Sequence, residues 1–187
     1  IPFIKAALAV RPDLRLWASP WCPPTWMKYN KHYACMYQDP ETVRENMKQL
    51  GISNNITTVN HLTPDQQGAE GADMFIQEPE YLKAYALYFK KFIEAYRSKG
   101  IRIEMVAPQN EFNSCQVFPS CIWTAESLSR FVGTYLGPEM QKLGVKILFG
   151  TMERKNDLMI DTVMKSEAGK YVSAIGFQWA GKGAIKA

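Results

Sequence analysis

Apolar positions along the chain fall into two alternating rhythms. Tyr81, Leu82, Tyr85, Phe89, Phe92 and Ile93 recur every three or four residues, which predicts an amphipathic helix from Pro79 that Gly100 stops. The tyrosines on this stripe read as core packing rather than as a platform for a sugar. Ile101–Val106 (IRIEMV) then alternates apolar and polar residues, as a half-buried strand does. The exchange repeats downstream. Thr124 caps a helix with Leu128, Phe131, Tyr135 and Leu143 on one face and Gly144 at its end, followed by a strand at Val145–Phe149, a helix at Asp157–Glu167 and a strand at Tyr171–Phe177. Upstream, Ile1–Arg11 reads as an apolar helix and Leu14–Ser19 as a short strand. Asp39-Pro40-Glu41 carries the signals of a helix start, and Gly51 those of its end. Residues 51–78 are rich in Asn, Gly, Gln and Thr and read as a long surface loop, in which Asn55-Ile56-Thr57 matches a glycosylation sequon.

Strands that alternate with helices imply βαβ units, a parallel sheet and right-handed crossovers. Polar and aromatic residues gather just after each strand: Ser19 and Trp21, Gln109-Asn110-Glu111, Thr151 and Glu153, Gln178-Trp179. The carboxyl ends of parallel strands are where α/β folds bind ligands. Neither GxGxxG nor GxxxxGK[ST] occurs, so dinucleotide and P-loop readings lose their main support. A (β/α) barrel is the better expectation.

Composition narrows the class. With 47% hydrophobic and 21% charged residues the chain is neither disordered nor fibrous. No apolar run reaches the length of a membrane-spanning helix. The net charge of +4 is spread thinly, so it makes a poor nucleic-acid footprint. The chain begins at Ile1 without a signal-peptide pattern, as a processed or cut chain would. Cys115 and Cys121 bracket a short loop, QVFPS, that a disulfide could close if their Cβ atoms face each other; two ordinary thiols are the alternative. The spacing of cysteines and the two histidines offers no zinc site.

Gln109-Asn110-Glu111 at a strand end is the pattern most suggestive of chemistry. A carboxylic acid there can protonate a leaving-group oxygen while the adjacent carboxamide grips a neighbouring hydroxyl. Glycoside hydrolysis uses that pairing together with a second carboxylate. Trp21 and Trp179, at neighbouring strand ends, offer flat faces for the apolar side of a sugar ring. Glu153 would face the same mouth and reads as a rim glutamate ion-paired with Arg154. Glu104, inside an alternating strand, is expected to point away from the core or to pair with a helix lysine.

Ser19-Pro20-Trp21-Cys22-Pro23-Pro24-Thr25-Trp26-Met27-Lys28 resembles the SPW-x-x-P-x-W-[ML]-K segment of glycoside hydrolase family 30. Gln109-Asn110-Glu111 resembles that family's asparagine-glutamate motif at the end of barrel strand four. Leu136-Gly137-Pro138 and Ile175-Gly176-Phe177-Gln178-Trp179 follow in the family's order. The resemblance runs over nearly the whole chain and implies a (β/α)8 TIM barrel, of which residues 1–187 would supply the central part, about strands three to six. The first strands and strands seven and eight would then be missing.

It also implies a retaining double displacement on a β-glycoside. Glu111 would be the general acid/base, Asn110 the partner of the sugar's 2-hydroxyl, and Trp21, Gln178 and Trp179 the substrate-binding residues. No metal or organic cofactor is implied. The partner would be a carbohydrate or glycoconjugate, met outside the cell, in the periplasm or in a lysosome.

Three positions depart from the pattern. Phe112 stands where the motif usually has proline, Gln178 where glucosylceramidases carry histidine, and Ala180 where they carry tyrosine. The family's nucleophile is a glutamate on strand seven, and no acidic residue follows Glu167 here. The nucleophile is therefore expected beyond Ala187, and the 187 residues alone should be inactive. The alternatives are a non-catalytic carbohydrate-binding module and another retaining glycanase of the family 5 kind.

Overall fold

In the computed structural model, residues 1–49 and 60–186 are described. Four strands, β1 (Leu16–Ala18), β2 (Ile103–Val106), β3 (Lys146–Met152) and β4 (Val172–Phe177), form one parallel sheet in sequential order. Leu16 pairs with Ile103, Met105 with Lys146, and Ile147 with Val172. Six α-helices accompany them: α1 (Pro2–Val10), α2 (Pro40–Gln49), α3 (Pro79–Arg97), α4 (Ala125–Arg130), α5 (Gly137–Leu143) and α6 (Asp157–Lys165). This is the strand–helix alternation of a TIM barrel. The sequon at 55–57 and the expected helix end at Gly51 lie outside the described residues.

Side-chain caps open three of the helices, at the expected Asp39 and Thr124 and also at Asn156. Asp39 Oδ2 accepts from Thr42 N–H (2.9 Å), Thr124 Oγ1 from Ser127 N–H (3.2 Å) and Asn156 Oδ1 from Met159 N–H (3.2 Å). The helix read as continuous from Thr124 to Gly144 is interrupted: Phe131–Leu136 widens into a π-turn between α4 and α5. Pro138 supplies no N–H to the helical ladder, which gives a reason for the irregularity. Gly137 is required by close approach, since a Cβ there would lie 2.4 Å from the Tyr171 ring. Gly144 ends α5 in the left-handed conformation, at φ 65°.

One expectation is corrected here. The segment before α3 is no simple surface loop, because Met74, Phe75 and Ile76 are buried. Phe75 forms an antiparallel bridge with Lys28, Met74 N–H donates to Ile122 O (2.9 Å) and Ile76 N–H to Met27 O (2.9 Å). Phe75 stacks on the fully buried Trp123 at 4.5 Å, and Tyr85 of α3 on Phe131 at 5.4 Å. Polar composition hid an apolar plug that completes the core. Glu104 stands outside the core, the first of its two expected placements, and pairs with Arg15 (2.7 Å) just before β1.

Strands β1 and β2 are shorter than predicted and β3 is longer. The extension of β3 through Gly150, Thr151 and Met152 is what carries Thr151 to the mouth of the sheet.

Candidate active site

Because the sheet is parallel, the chain leaves all four strands at one edge, and the segments leaving it converge. Three prolines between Pro20 and Pro24 stiffen the loop after β1. Its carbonyls hold the next strand end in place. Asn110 N–H donates to Pro20 O (2.9 Å), and buried Gln109 donates through Nε2 to Trp21 O (2.9 Å). Gln109 is thus a staple between two loops rather than a ligand contact.

Glu111 follows in the left-handed region, at φ 48°, and Trp179 after β4 does the same at φ 45°. L-residues adopt this conformation rarely, and such positions concentrate at functional sites. Glu111 is only 3% exposed. Its Oε2 accepts from Gln116 Nε2 (3.3 Å) and its Oε1 from Gln178 Nε2 (3.4 Å), while its own N–H donates to Thr151 Oγ1 (3.2 Å). Burial pushes the Glu111 carboxyl above the ordinary carboxylate range, and the negative charge of Glu153 pushes it the same way. Hydrogen bonding from Trp179 and Gln116 and the charge of Arg154 pull it partly back. A carboxyl so placed keeps its proton to higher pH, as a general acid requires.

Asn110 is buried beside it. Its Oδ1 accepts from Thr151 Oγ1 (2.9 Å) and Gln178 Nε2 (3.0 Å), whereas its Nδ2 has no partner among the described residues. A buried amide donor without a partner is costly unless a ligand takes it. Trp179 is 71% exposed and Trp21 46%, the latter packed edge-on against Phe118 with ring centroids 5.4 Å apart.

Glu153 is ion-paired with Arg154, as expected, but it is buried rather than on an exposed rim. Asn113 Oδ1 accepts from its N–H (3.1 Å), and Arg154 reaches on to Glu70 (3.2 Å). This network holds the β3 loop against the segment after Glu111.

Asn110, Glu111, Gln178 and Trp179 therefore come together, with Trp21 tied to them through Gln109. Three further residues enter the site that the sequence patterns did not single out: Thr151, Gln116 and Phe118. Thr151 was visible only as one of the polar residues clustered after a strand. Gln116 and Phe118 sit in a loop that no motif covers.

The loop between Cys115 and Cys121 is not closed by a disulfide. All four cysteines are unbridged thiols. The Cys115 thiol donates instead to Cys35 O (3.0 Å), and Gln116 O accepts from the N–H groups of Cys35 and Met36 (3.0 and 2.9 Å). The loop is thereby pinned to residues 35–36 rather than to its own far end. Burial pushes the Cys115 thiol up to about 12 and the Cys121 thiol well above its usual value. Phe112, the departure from the proline of the motif, is fully buried against Phe149 at 4.9 Å.

A parallel strand–helix sheet with a buried acid, a carboxamide and exposed indoles at its carboxyl edge has the arrangement of a barrel-type site. Residues 55–186 match the glycosyl hydrolase family 30 TIM-barrel domain, and the chain belongs to that family. It is 29% identical over 186 residues to "Putative glucosylceramidase 1" of Caenorhabditis elegans, which covers 94% of this chain and 29% of the relative. It is 24% identical over 172 residues to "Endo-1,6-beta-D-glucanase neg1" of Aspergillus fumigatus, covering 90% of this chain and 30% of the relative. Among solved structures, SrfJ from Salmonella typhimurium superposes with a TM-score of 0.67 at 22% identity, covering 95% of this chain and 33% of that one. The chain thus spans less than a third of the length of both curated relatives. Among the described residues no helix is long and apolar enough to cross a membrane.

Proposed function

We propose that the protein hydrolyses β-glycosidic bonds by retaining double displacement, with Glu111 as the general acid/base. The observation that carries this reading is the buried, proton-retaining Glu111 carboxyl beside an Asn110 amide whose donor has no hydrogen-bond partner among the described residues.

In the first step a carboxylate nucleophile attacks the anomeric carbon while Glu111 gives its proton to the glycosidic oxygen, and the aglycone leaves as an alcohol. In the second, Glu111, now a carboxylate, takes a proton from water as that water displaces the nucleophile. Asn110 Nδ2 donates to the sugar's 2-hydroxyl, and Trp21 and Trp179 line the sugar's subsite with Gln178. Retention places the two carboxyls about 5–5.5 Å apart. The proposed nucleophile comes from a strand outside these residues, which on this reading supply about strands three to six of an eight-stranded barrel. The relatives, more than three times as long as the stretch matched here, support that division.

The test is Glu111→Gln in the complete barrel, assayed on aryl β-glycosides. The expected loss in kcat/KM is roughly a thousandfold for a phenyl glycoside, the middle of the range for a positioned acid. It should be much smaller for a dinitrophenyl glycoside, whose departure needs no proton. Unimpaired cleavage of the phenyl glycoside would remove Glu111 from the mechanism.

A further inference from the structure

We propose that Thr151 is the positioning residue of this site: it fixes which end of the Asn110 amide faces the substrate. The inference rests on the roles given above to Asn110 and Glu111. A threonine hydroxyl has one proton and two lone pairs, and all three are committed here. The backbone N–H of Glu111 donates to Oγ1 at 3.2 Å and Gln178 Nε2 donates to it at 2.7 Å, which occupies both lone pairs. The single proton is left for Asn110 Oδ1, at 2.9 Å.

The backbone N–H can only donate, and Gln178 presents Nε2, whose two N–H groups face Thr151 Oγ1 at 2.7 Å, Asn110 Oδ1 at 3.0 Å and, at the longest distance, Glu111 Oε1 at 3.4 Å. With both lone pairs of Thr151 taken, only an acceptor fits opposite its proton, so Asn110 must present oxygen there. Gln178 Nε2, shared with Thr151 Oγ1, faces that oxygen as well, at 3.0 Å. The amide group is therefore locked with Nδ2 turned away from Thr151, buried and without a partner among the described residues. A flipped Asn110 would set its NH2 against the Gln178 NH2 and face the substrate with an acceptor.

The consequence is that Asn110 offers a ligand a donor and not an acceptor. Its ligand atom must be an acceptor, such as a sugar hydroxyl oxygen whose electron density rises as the adjacent bond breaks. Thr151 touches no substrate in this account and acts through Asn110.

Thr151→Val removes the hydroxyl and keeps the shape. In the complete barrel it should lower kcat about tenfold, the scale of one well-placed hydrogen bond, with KM within about twofold because the bond matters most in the transition state. Thr151→Ser, which keeps the hydroxyl, should restore kcat to within about threefold on the same reasoning. In an Asn110→Ala background Thr151→Val should cost almost nothing more, because the group it orients is gone. A Thr151→Val loss as large in that background as in the parent would show a general structural role and overturn the inference. So would an unchanged kcat, or a serine variant no better than valine. Glu111→Gln separates the two readings: if it is inactive while Thr151→Val is silent, only the role of Thr151 fails, whereas an active Glu111→Gln removes the mechanism itself.

Discussion

Lys28 closes the Ser-Pro-Trp segment, and its ammonium is fully buried without a carboxylate. It donates instead to three backbone carbonyls: Tyr33 O (3.1 Å), Ala34 O (3.1 Å) and Ser120 O (2.7 Å). It thus ties the segment after β1 to the end of the loop whose Gln116 reaches Glu111. Lys28→Met keeps the apolar stem and deletes the charged head. Two of the three carbonyls keep other donors, Tyr33 O the N–H of Ser120 at 3.0 Å and Ala34 O the Asn30 amide at 2.8 Å. Ser120 O is left with a thiol alone, Cys35 Sγ at 3.4 Å.

One carbonyl without a good donor costs about 1–3 kcal/mol. The lost charge-assisted bonds add to that cost, and the relief of a several-kcal/mol desolvation offsets much of the addition. The net expectation is a destabilisation of about 2 kcal/mol. Urea unfolding of the complete barrel measures it as a lower midpoint at unchanged slope. A change below about 0.5 kcal/mol, within the range of ordinary surface substitutions, would show that burying the ammonium costs as much as its bonds return and would refute the clamp.

Further predictions concern charge and thiols. Glu153→Gln removes a negative charge that raises the Glu111 pKa, so the alkaline limb of the kcat/KM profile should move to lower pH; an unmoved limb would count against Glu111 as the acid. Because Glu111 holds its proton more tightly folded than unfolded, its contribution to stability is whole below the ordinary carboxylate range and is lost as pH rises through the raised value. Glu111→Gln should therefore raise the melting temperature at neutral pH and leave it unchanged in acid; the opposite dependence would mean that the site stabilises the carboxylate. Under denaturing, non-reducing alkylation, the peptide containing Cys115 and Cys121 should take up two labels by mass spectrometry, and none if the two are bridged.

Much of the architecture is legible along the chain because its signals are local. The period of α3, the caps at Asp39 and Thr124 and the alternation of β2 follow from a few neighbouring residues. So do the clusters after strand ends, since parallel connectivity alone places them on one edge. Asn110, Glu111, Gln178 and Trp179 could be nominated from sequence for that reason. Their meeting through Thr151 could not, because it depends on β3 running past Phe149 to Met152. Sequence composition also misread the Met74–Ile76 plug, whose burial depends on partners at Met27 and Ile122.

The sequence by itself determined the order of strands and helices, the edge at which chemistry gathers, and the acid offered there. Tertiary structure decided how that carboxyl is tuned and, on the reading proposed here, which end of its neighbouring amide would meet a ligand. Periodicity and capping act over a few residues and are written in order along the chain. Hydrogen-bond saturation, desolvation and the charge of Glu153 arise only when segments some forty to seventy residues apart, such as Asn110 with Thr151 and Gln178, share one buried space.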